Sequence, residues 1–165
     1  MTAKDKNIND LFFDTLKDIY FAEKQILKAL PKMAKAANSD KLRAAFEKHH
    51  GETEGQVERL EKIFELIDKP PRSKTCDAIQ GILDEGKEIM EEYKGSEALD
   101  AGMLAAAQAV EHYEISRYGT LKQWAQQLGM KEAAGLLDET LQEEKKTDES
   151  LSALAEAAIN LAAAA

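Results

Sequence analysis

The sequence has little proline, few aromatic residues and a single cysteine. Its 165 residues include three prolines and 6% aromatic residues, which is a poor supply of the residues that favour strands and turns. The one cysteine, Cys76, excludes an intrachain disulfide and fits a reducing, cytoplasmic compartment. We expect its thiol to be a small core group, as free cysteines usually are.

The sequence also lacks a basic region and a long apolar segment. Its 31 acidic residues exceed its 22 basic ones, and the net charge of −9 argues against a nucleic-acid surface. No apolar run reaches membrane-spanning length, and the polar N-terminus lacks the core of a signal peptide. Glycine-rich phosphate loops and nucleophile–base pairs are absent, so hydrolase chemistry has little support. We expect neither a nucleic-acid nor a membrane partner.

Alanine, leucine, lysine and glutamate dominate the chain, and all four favour helices. Apolar residues recur at spacings of three and four along five segments, which predicts five helices. Pro31 predicts a kink or a local break late in the first of them. The predicted helices span residues 9–37, 41–68, 76–93, 97–128 and 131–163.

The connections between these segments indicate the fold class. Short turns at Asn38 and Gly129 make each pair of long helices an antiparallel hairpin, and glycine suits the position just after a helix. The segment between the hairpins is long enough to cross the bundle, and it holds the short helix. This is the connectivity of a ferritin-like four-helix bundle. We therefore expect an all-α protein with one ferritin-like domain over residues 1–165.

Glutamates interrupt the apolar stripes of the long helices at a common height. Glu23 lies about 15 residues before the first turn and Glu52 about 14 after it, so a rise of about 1.5 Å per residue puts them level. Glu111, Glu114 and Glu144 lie about 18, 15 and 15 residues from the second turn, which puts them near the middle of their hairpin. Glu52 is one residue from the centre of its stripe. Each hairpin therefore brings acidic side chains together.

Carboxylates in a helix core need protons, basic partners or bound cations, because an unpaired buried charge is costly. No lysine falls in these apolar series. For any single glutamate, a solvated boundary position is the simpler interpretation. Glutamates from all four helices at one depth are instead typical of di-iron and di-manganese sites. Oxygen ligands with little imidazole suit iron or manganese better than structural zinc, so we predict a dinuclear iron or manganese site.

Four segments of the chain resemble a known protein family. They are DIYFAEKQILKAL, FEKHHGETEGQVERLEKIFE, AAAQAVEHYEISRYGTLKQWAQQLG and LLDETLQEEKKTDESL. They cover nearly the whole chain in the family's order, and the third is the most specific. In these segments the sequence resembles the YciF-like (YciE/YciF) family of bacterial ferritin-like stress proteins. The resemblance implies a rubrerythrin-like core, a homodimer and a link to the stress response, without a settled activity.

The resemblance also implies a set of metal ligands, with one departure from the related proteins. Ferritins and rubrerythrins use Glu-x-x-His, whereas here His49 precedes Glu52 and reverses the order. A formal Glu-x-x-His at Glu47 and His50 lies off the apolar stripe. The implied ligands are Glu23, His49, Glu52, Glu111, Glu114 and Glu144, with Gln56 and Asp148 as weak ligands or as groups that orient the ligands.

Several neighbouring residues are interpreted as structural. His112 lies about 100° round its helix from Glu111, which predicts a hydrogen bond to another helix rather than a bond to the metal. Tyr20, Tyr113 and Tyr118 are predicted to pack with their hydroxyl groups on buried partners, rather than to carry electrons.

Two further functions stay open beside the one that these observations favour. The favoured function is a stress-response protein whose dinuclear metal reacts with peroxide or O₂. The alternative is a structural or interaction module of the stress response with a vestigial site, and the departure from Glu-x-x-His favours it. Iron storage would need a closed shell, which the family resemblance does not promise.

Overall fold

The computed structural model describes residues 5–165, and helices account for nearly all of this range. No strand occurs within these residues. Residues 1–4 of the predicted domain lie outside the described part of the chain. The main helices are α1 (Ile8–Ala36), α2 (Asp40–Leu66), α3 (Asp77–Glu92), α4 (Leu99–Gln127) and α5 (Lys131–Leu154), followed by a π-helical turn (Ala155–Ile159) and α6 (Asn160–Ala163).

Helices α1, α2, α4 and α5 form a four-helix bundle. The α1–α2 and α4–α5 turns make two hairpins, and the hairpins pack with α1 beside α4 and α2 beside α5. Bonds between α2 and α5 run from Glu52 to Thr147 and from Arg59 to Thr140, so these two helices are antiparallel. Helix α3 lies in the crossover and packs on α4 and α1. The predicted ferritin-like bundle with a short fifth helix in its crossover is confirmed.

Helix α4 holds the turn between α1 and α2 through the carboxylate of Asp100. Its two oxygens accept the backbone N–H groups of Asn38 at 2.8 Å and Ser39 at 2.6 Å. The Ser39 hydroxyl in turn accepts the N–H of Leu42 and caps α2. These bonds join the first hairpin to the second near one end of the bundle.

The second hairpin turns at Gly129, as predicted. Gly129 has a φ of 73°, a conformation that favours glycine, and the N–H of Met130 donates to the carbonyl of Ala125 at 2.8 Å. This is the hydrogen-bonding pattern of a Schellman helix end.

Most helix bounds lie within two residues of the prediction, and two features differ from it. Helix α1 continues through Pro31 to Ala36, so a break at this proline is absent. Leu30 and Met33, on either side of it, are buried, and their packing holds the helix together. Helix α5 ends at Leu154 rather than near residue 163, because the backbone changes there to the wider π-helical pattern.

Helix α3 packs closely on α4 at a glycine. A Cβ atom placed on Gly102 would lie 2.6 Å from Cγ2 of Ile89, so a side chain at this position would push α3 away. None of the described helices combines the length and the apolar character that a membrane span requires.

Replacing Asp100 should weaken the contact between the hairpins. Asp100→Ala leaves two backbone N–H groups without their charged acceptor, so we expect the free energy of unfolding to fall by about 2 kcal/mol or more. Asp84→Ala, at an exposed site on α3, should change it by less than about 0.5 kcal/mol. Urea denaturation of both variants tests this, and equal stability of the two would contradict it.

Candidate metal centre

Five buried polar side chains lie half-way along the bundle, and every bundle helix supplies at least one. Glu23 comes from α1, His49 from α2, Glu111 and Glu114 from α4, and Glu144 from α5. The four glutamates are 0% exposed and His49 is 3% exposed. Each lies on the apolar stripe of its helix, so the pattern that buries leucine and isoleucine elsewhere also buries these groups.

The imidazole of His49 lies between two of the carboxyl groups. Its Nδ1 atom is 3.0 Å from Oε1 of Glu111, and its Nε2 atom is 3.6 Å from Oε2 of Glu144. One ligand atom from each of His49, Glu111, Glu114 and Glu144 lies within 4.8 Å of the other three. This spacing allows one cation to contact all four residues.

Most oxygens in the cluster have no hydrogen-bond partner. Both carboxylate oxygens of Glu111, Glu114 and Glu144 are buried without one. No lysine or arginine of residues 5–165 forms an ion pair with them. Buried polar atoms in folded proteins almost always have partners. Unpartnered oxygens from three side chains at one point therefore indicate a bound cation or shared protons.

Glu23 is held by a tyrosine on the opposite hairpin. The hydroxyl of Tyr118 donates a hydrogen bond to Oε1 of Glu23, while Oε2 has no partner. Burial first, and then the nearby carboxylates of Glu23 and Glu114, raise the pKa of Tyr118 well above its usual value, which keeps the hydroxyl protonated as a donor. Tyr118 therefore orients Glu23 with one oxygen still free.

The electrostatics of the cluster favour protonated carboxyl groups when no cation is bound. Burial, followed by the charge of Glu144, raises the pKa of Glu23 to about 8. Burial is also the main cause of the strongly raised pKa values of Glu111 and Glu114, and neighbouring carboxylates add to it. A bound cation would reverse this effect, because it stabilises the ionised carboxylates.

The structure does not bring Glu52 into this cluster. Its side chain is 26% exposed, forms an ion pair with Lys48 and accepts a hydrogen bond from Thr147. The reason is angular, since Glu52 lies one residue off the stripe through His49 and Thr53. The sequence places it at the correct height but on the flank of α2. The formal pair Glu47 and His50 is likewise outside the cluster and lines a surface groove between α1 and α2.

Gln56 and Asp148 occupy positions next to the cluster. Gln56 is fully buried, and its amide nitrogen donates to Glu143 at 3.2 Å, which leaves Oε1 unpartnered in the core. Asp148 lies at the α4–α5 surface, where Oδ2 is 3.1 Å from Nε2 of His112. The predicted bond between His112 and another helix is confirmed, and Asp148 contributes charge rather than a ligand atom.

The predicted burial of Cys76 and the predicted partners for the tyrosine hydroxyls are also confirmed, while the absence of a redox role stays a prediction. Tyr20 donates to Glu61 at 2.8 Å, and the hydroxyl of Tyr113 lies 3.1 Å from Sγ of the buried Cys76. Sequence reasoning did not identify Tyr118 as the residue that donates a hydrogen bond to Glu23. The available signal was that Tyr118 lies one turn beyond Glu114 on the same face of α4.

Sequence reasoning also missed the ion-pair network beside the cluster. Arg59 on α2 binds Glu143 and Glu139 on α5, and it donates to Thr140. Glu143 in turn accepts the amide of Gln56. The network fixes the register of α2 against α5, and with it the relative heights of His49 and Glu144.

The helix connectivity and the buried carboxylate–histidine cluster define the class of protein as a ferritin-like four-helix bundle. Residues 7–164 match the family described as "Domain of unknown function (DUF892)", and the chain belongs to this family. It is 48% identical over 152 residues to protein YciF of Escherichia coli (strain K12), and the match covers 91% of each chain. The relationship confirms the stress-protein family that the sequence segments resemble.

Two solved structures share both the fold and the sequence. The crystal structure of the E. coli stress protein YciF matches with a TM-score of 0.90 and 46% identity, covering 94% of this chain and 98% of that one. YcfI of Rhodopseudomonas palustris, for which a structural role has been suggested, matches with a TM-score of 0.88 and 41% identity. That match covers 92% of this chain and 98% of the other.

The metal-free protein should lose stability as the pH rises from 5 to 8. In this range the folded protein binds more protons than the unfolded chain, because Glu23 titrates near 8 when folded and near 4.5 when unfolded. The stabilisation that comes from the bound proton is therefore complete at low pH. It is lost as the pH rises through the pKa of Glu23 in the folded protein. Each unit of raised pKa corresponds to about 1.4 kcal/mol.

Urea midpoints of chelator-treated protein at pH 5 and pH 8 measure this loss. Glu23→Gln should reduce the difference between the two midpoints, because it removes one titrating group. Glu149→Gln, at an exposed site on α5, should leave it unchanged. A wild-type midpoint that rises with pH would contradict the prediction.

Proposed function

We propose that the cluster binds iron or manganese and that the bound metal reacts with peroxide or O₂ during a stress response. The observation that carries this proposal is the meeting of three buried carboxyl groups and one imidazole at a single point, beside the buried carboxyl of Glu23. No lysine or arginine among the described residues forms an ion pair with them. A purely structural core would gain stability from apolar side chains at these positions.

The donor atoms fit such a metal. His49, Glu111, Glu114 and Glu144 supply one nitrogen and several oxygens, the mixture that suits iron and manganese. Glu23 adds a free oxygen from the remaining helix. The charge of Glu144 contributes to the raised pKa of Glu23, and the charge of Glu23 contributes to the raised pKa of Glu114, so these carboxyl groups lie near one another. They are therefore the residues that would serve a second metal position, as a dinuclear site requires.

The protein's own residues prepare the site for redox chemistry. Tyr118 orients Glu23, and His49 is positioned between Glu111 and Glu144. All four glutamates are 0% exposed, so the surrounding core keeps bulk water away from the carboxylates. When bound, an Fe(II) or Mn(II) pair would supply two electrons, which reduce peroxide to water or O₂ to peroxide, and an external reductant would restore the pair. The protein thus holds the ligands in place and keeps other reactants out.

The relatives support the biological setting of this proposal. The E. coli relative is called a stress protein, which agrees with a role in a stress response. We extend the proposal to a cytoplasmic homodimer, on the basis of the single free cysteine and the family resemblance.

A structural role is the second candidate function. It is favoured by the single imidazole in the cluster, since dinuclear sites of this fold commonly use one histidine on each of two helices. The structural role suggested for the relative YcfI agrees with it. In that case the carboxyl groups would remain protonated and would form hydrogen bonds with one another.

Glu111→Gln should remove both metal and activity. The amide cannot carry the negative charge that a metal ligand needs, so we expect the bound iron or manganese, close to two per chain in the wild type, to fall sharply. Peroxide turnover by iron-loaded protein should fall with it. Glu52→Gln is the matched control, because Glu52 lies on the flank of α2, and it should retain both. Elemental analysis and a peroxide assay measure the two quantities.

Unchanged peroxide turnover in the Glu111→Gln variant would contradict the proposed chemistry. Loss of metal in the Glu52→Gln variant alone would contradict the placement of the site.

Glu114→Met should stabilise the metal-free protein while abolishing its response to metal. The substitution replaces a buried, unpartnered carboxyl by an apolar side chain of similar size, so we expect a gain of about 1–3 kcal/mol at pH 8. Added Mn²⁺ should raise the Tm of the wild type but not that of the variant. The exposed Glu149→Met is the control. Thermal melts with and without Mn²⁺ test this, and a destabilised variant would indicate that Glu114 has a structural role.

A further inference from the structure

Two small cavities lie in series between helix α3 and the centre of the bundle. The inner cavity, of about 10 Å³, is lined by His49 and Glu111 of the cluster. The outer cavity, of about 20 Å³, is lined by residues of α3 and α4 such as Gly86 and Ala106. Four residues line both cavities, so the two are adjacent: Ala29, Met33, Leu83 and Val110.

The outer cavity lies close to the protein surface. Ala29, Ile82, Leu83 and Met90, which line it, are only partly buried. Val110 and Met33 are each 6% exposed and lie deeper. A line from the surface beside α3 to the imidazole of His49 therefore passes through space that is incompletely filled.

The lining of this space is aliphatic except at its inner end. Alanine, leucine, valine and methionine side chains offer a water molecule no hydrogen-bond partners, and apolar cavities in proteins stay dry while accepting apolar gases. A hydrated ion would have to lose its water along the way, at a high cost in free energy. The space therefore selects against ions and favours small, uncharged molecules.

Helix α3 packs closely on α4, but it does not close the space between α3 and the centre of the bundle. Gly102 and Gly86 bring α3 close to α4 through contacts with Ile89 and Ala106. Within α3, Ile79 and Gly86 are the buried residues. The side chain of Leu83 is half-buried and lines both cavities. A change in the position of this side chain would therefore change the width of the opening.

We propose that the two cavities form a passage that brings a small, uncharged, apolar molecule, dioxygen, to the His49–Glu111 side of the metal centre, and that Leu83 narrows it. The passage itself is a property of the metal-free chain. Only the consumption of dioxygen at its inner end rests on the function proposed above.

Dissolved dioxygen is paramagnetic, and it can be used directly as a probe in the metal-free protein. Under oxygen pressure, the methyl groups of Met33, Leu83 and Val110 should relax severalfold faster than those of Leu141, which is as buried as Val110 but lines neither cavity. Methyl NMR of chelator-treated protein measures these rates.

Two substitutions change the width of the passage in opposite directions. Ala29→Leu places a larger side chain in the passage and narrows it. It should reduce the oxygen-induced relaxation rate of the Val110 methyl groups to that of Leu141. Leu83→Ala should increase it. The controls are Ala36→Leu on α1 and Leu136→Ala on α5, which are partly buried positions outside both cavities, and they should have no effect.

Equal relaxation of Val110 and Leu141 in the wild type would overturn the passage, as would an Ala29→Leu variant that relaxes like the wild type. Oxygen consumption by iron-loaded protein separates this inference from the proposed function. Selective relaxation without oxygen consumption would support the passage while contradicting the redox chemistry. Slower oxygen consumption in Ala29→Leu at unchanged iron content would support both.

Discussion

Four buried carboxyl groups and one imidazole lie in the middle of the bundle, and the imidazole contacts two of the carboxyl groups. Within residues 5–165 no lysine or arginine is paired with them. Such a group is stable in two states, with protons or with cations on its oxygens. The rest of the structure keeps the group together. Asp100 ties the two hairpins at one end, and the Arg59–Glu143 pair sets the register of α2 against α5. Tyr118 orients the carboxyl group that comes from α1.

The fold follows from the sequence because its signals are local and repeated. Apolar spacings of three and four define long helices, and the turns at Asn38 and Gly129 leave no room for any pairing except antiparallel hairpins. The end of α5 was less predictable, because the change to a π-helical turn after Leu154 depends on backbone hydrogen bonds that alanine-rich sequence does not specify. Pro31 is misleading for a similar reason, since packing on both sides of it holds α1 together.

The candidate site could be predicted in part. The heights of Glu23, Glu111, Glu114 and Glu144 come directly from the helical rise, and the structure brings all four together. Height alone does not decide which way a side chain points. Glu52 lies one residue off the buried stripe of α2, so it lies on the flank of the helix while His49 lies in the core. The packing of α2 against its neighbours determines the rotation of the helix about its axis. Contacts between helices, such as Tyr118 with Glu23, depend on the packing of the hairpins and leave no local pattern.

Anomalous diffraction from crystals soaked in Mn²⁺ is the most direct measurement of whether this cluster is a metal centre. Binding at the cluster predicts a strong peak within coordination distance of His49, Glu111, Glu114 and Glu144, with Glu23 turned towards a second peak. Strong density at Glu52 or at the Glu47–His50 groove, with none in the core, would contradict it. The buried carboxyl groups would then be protonated, and the chain would be a structural member of its family.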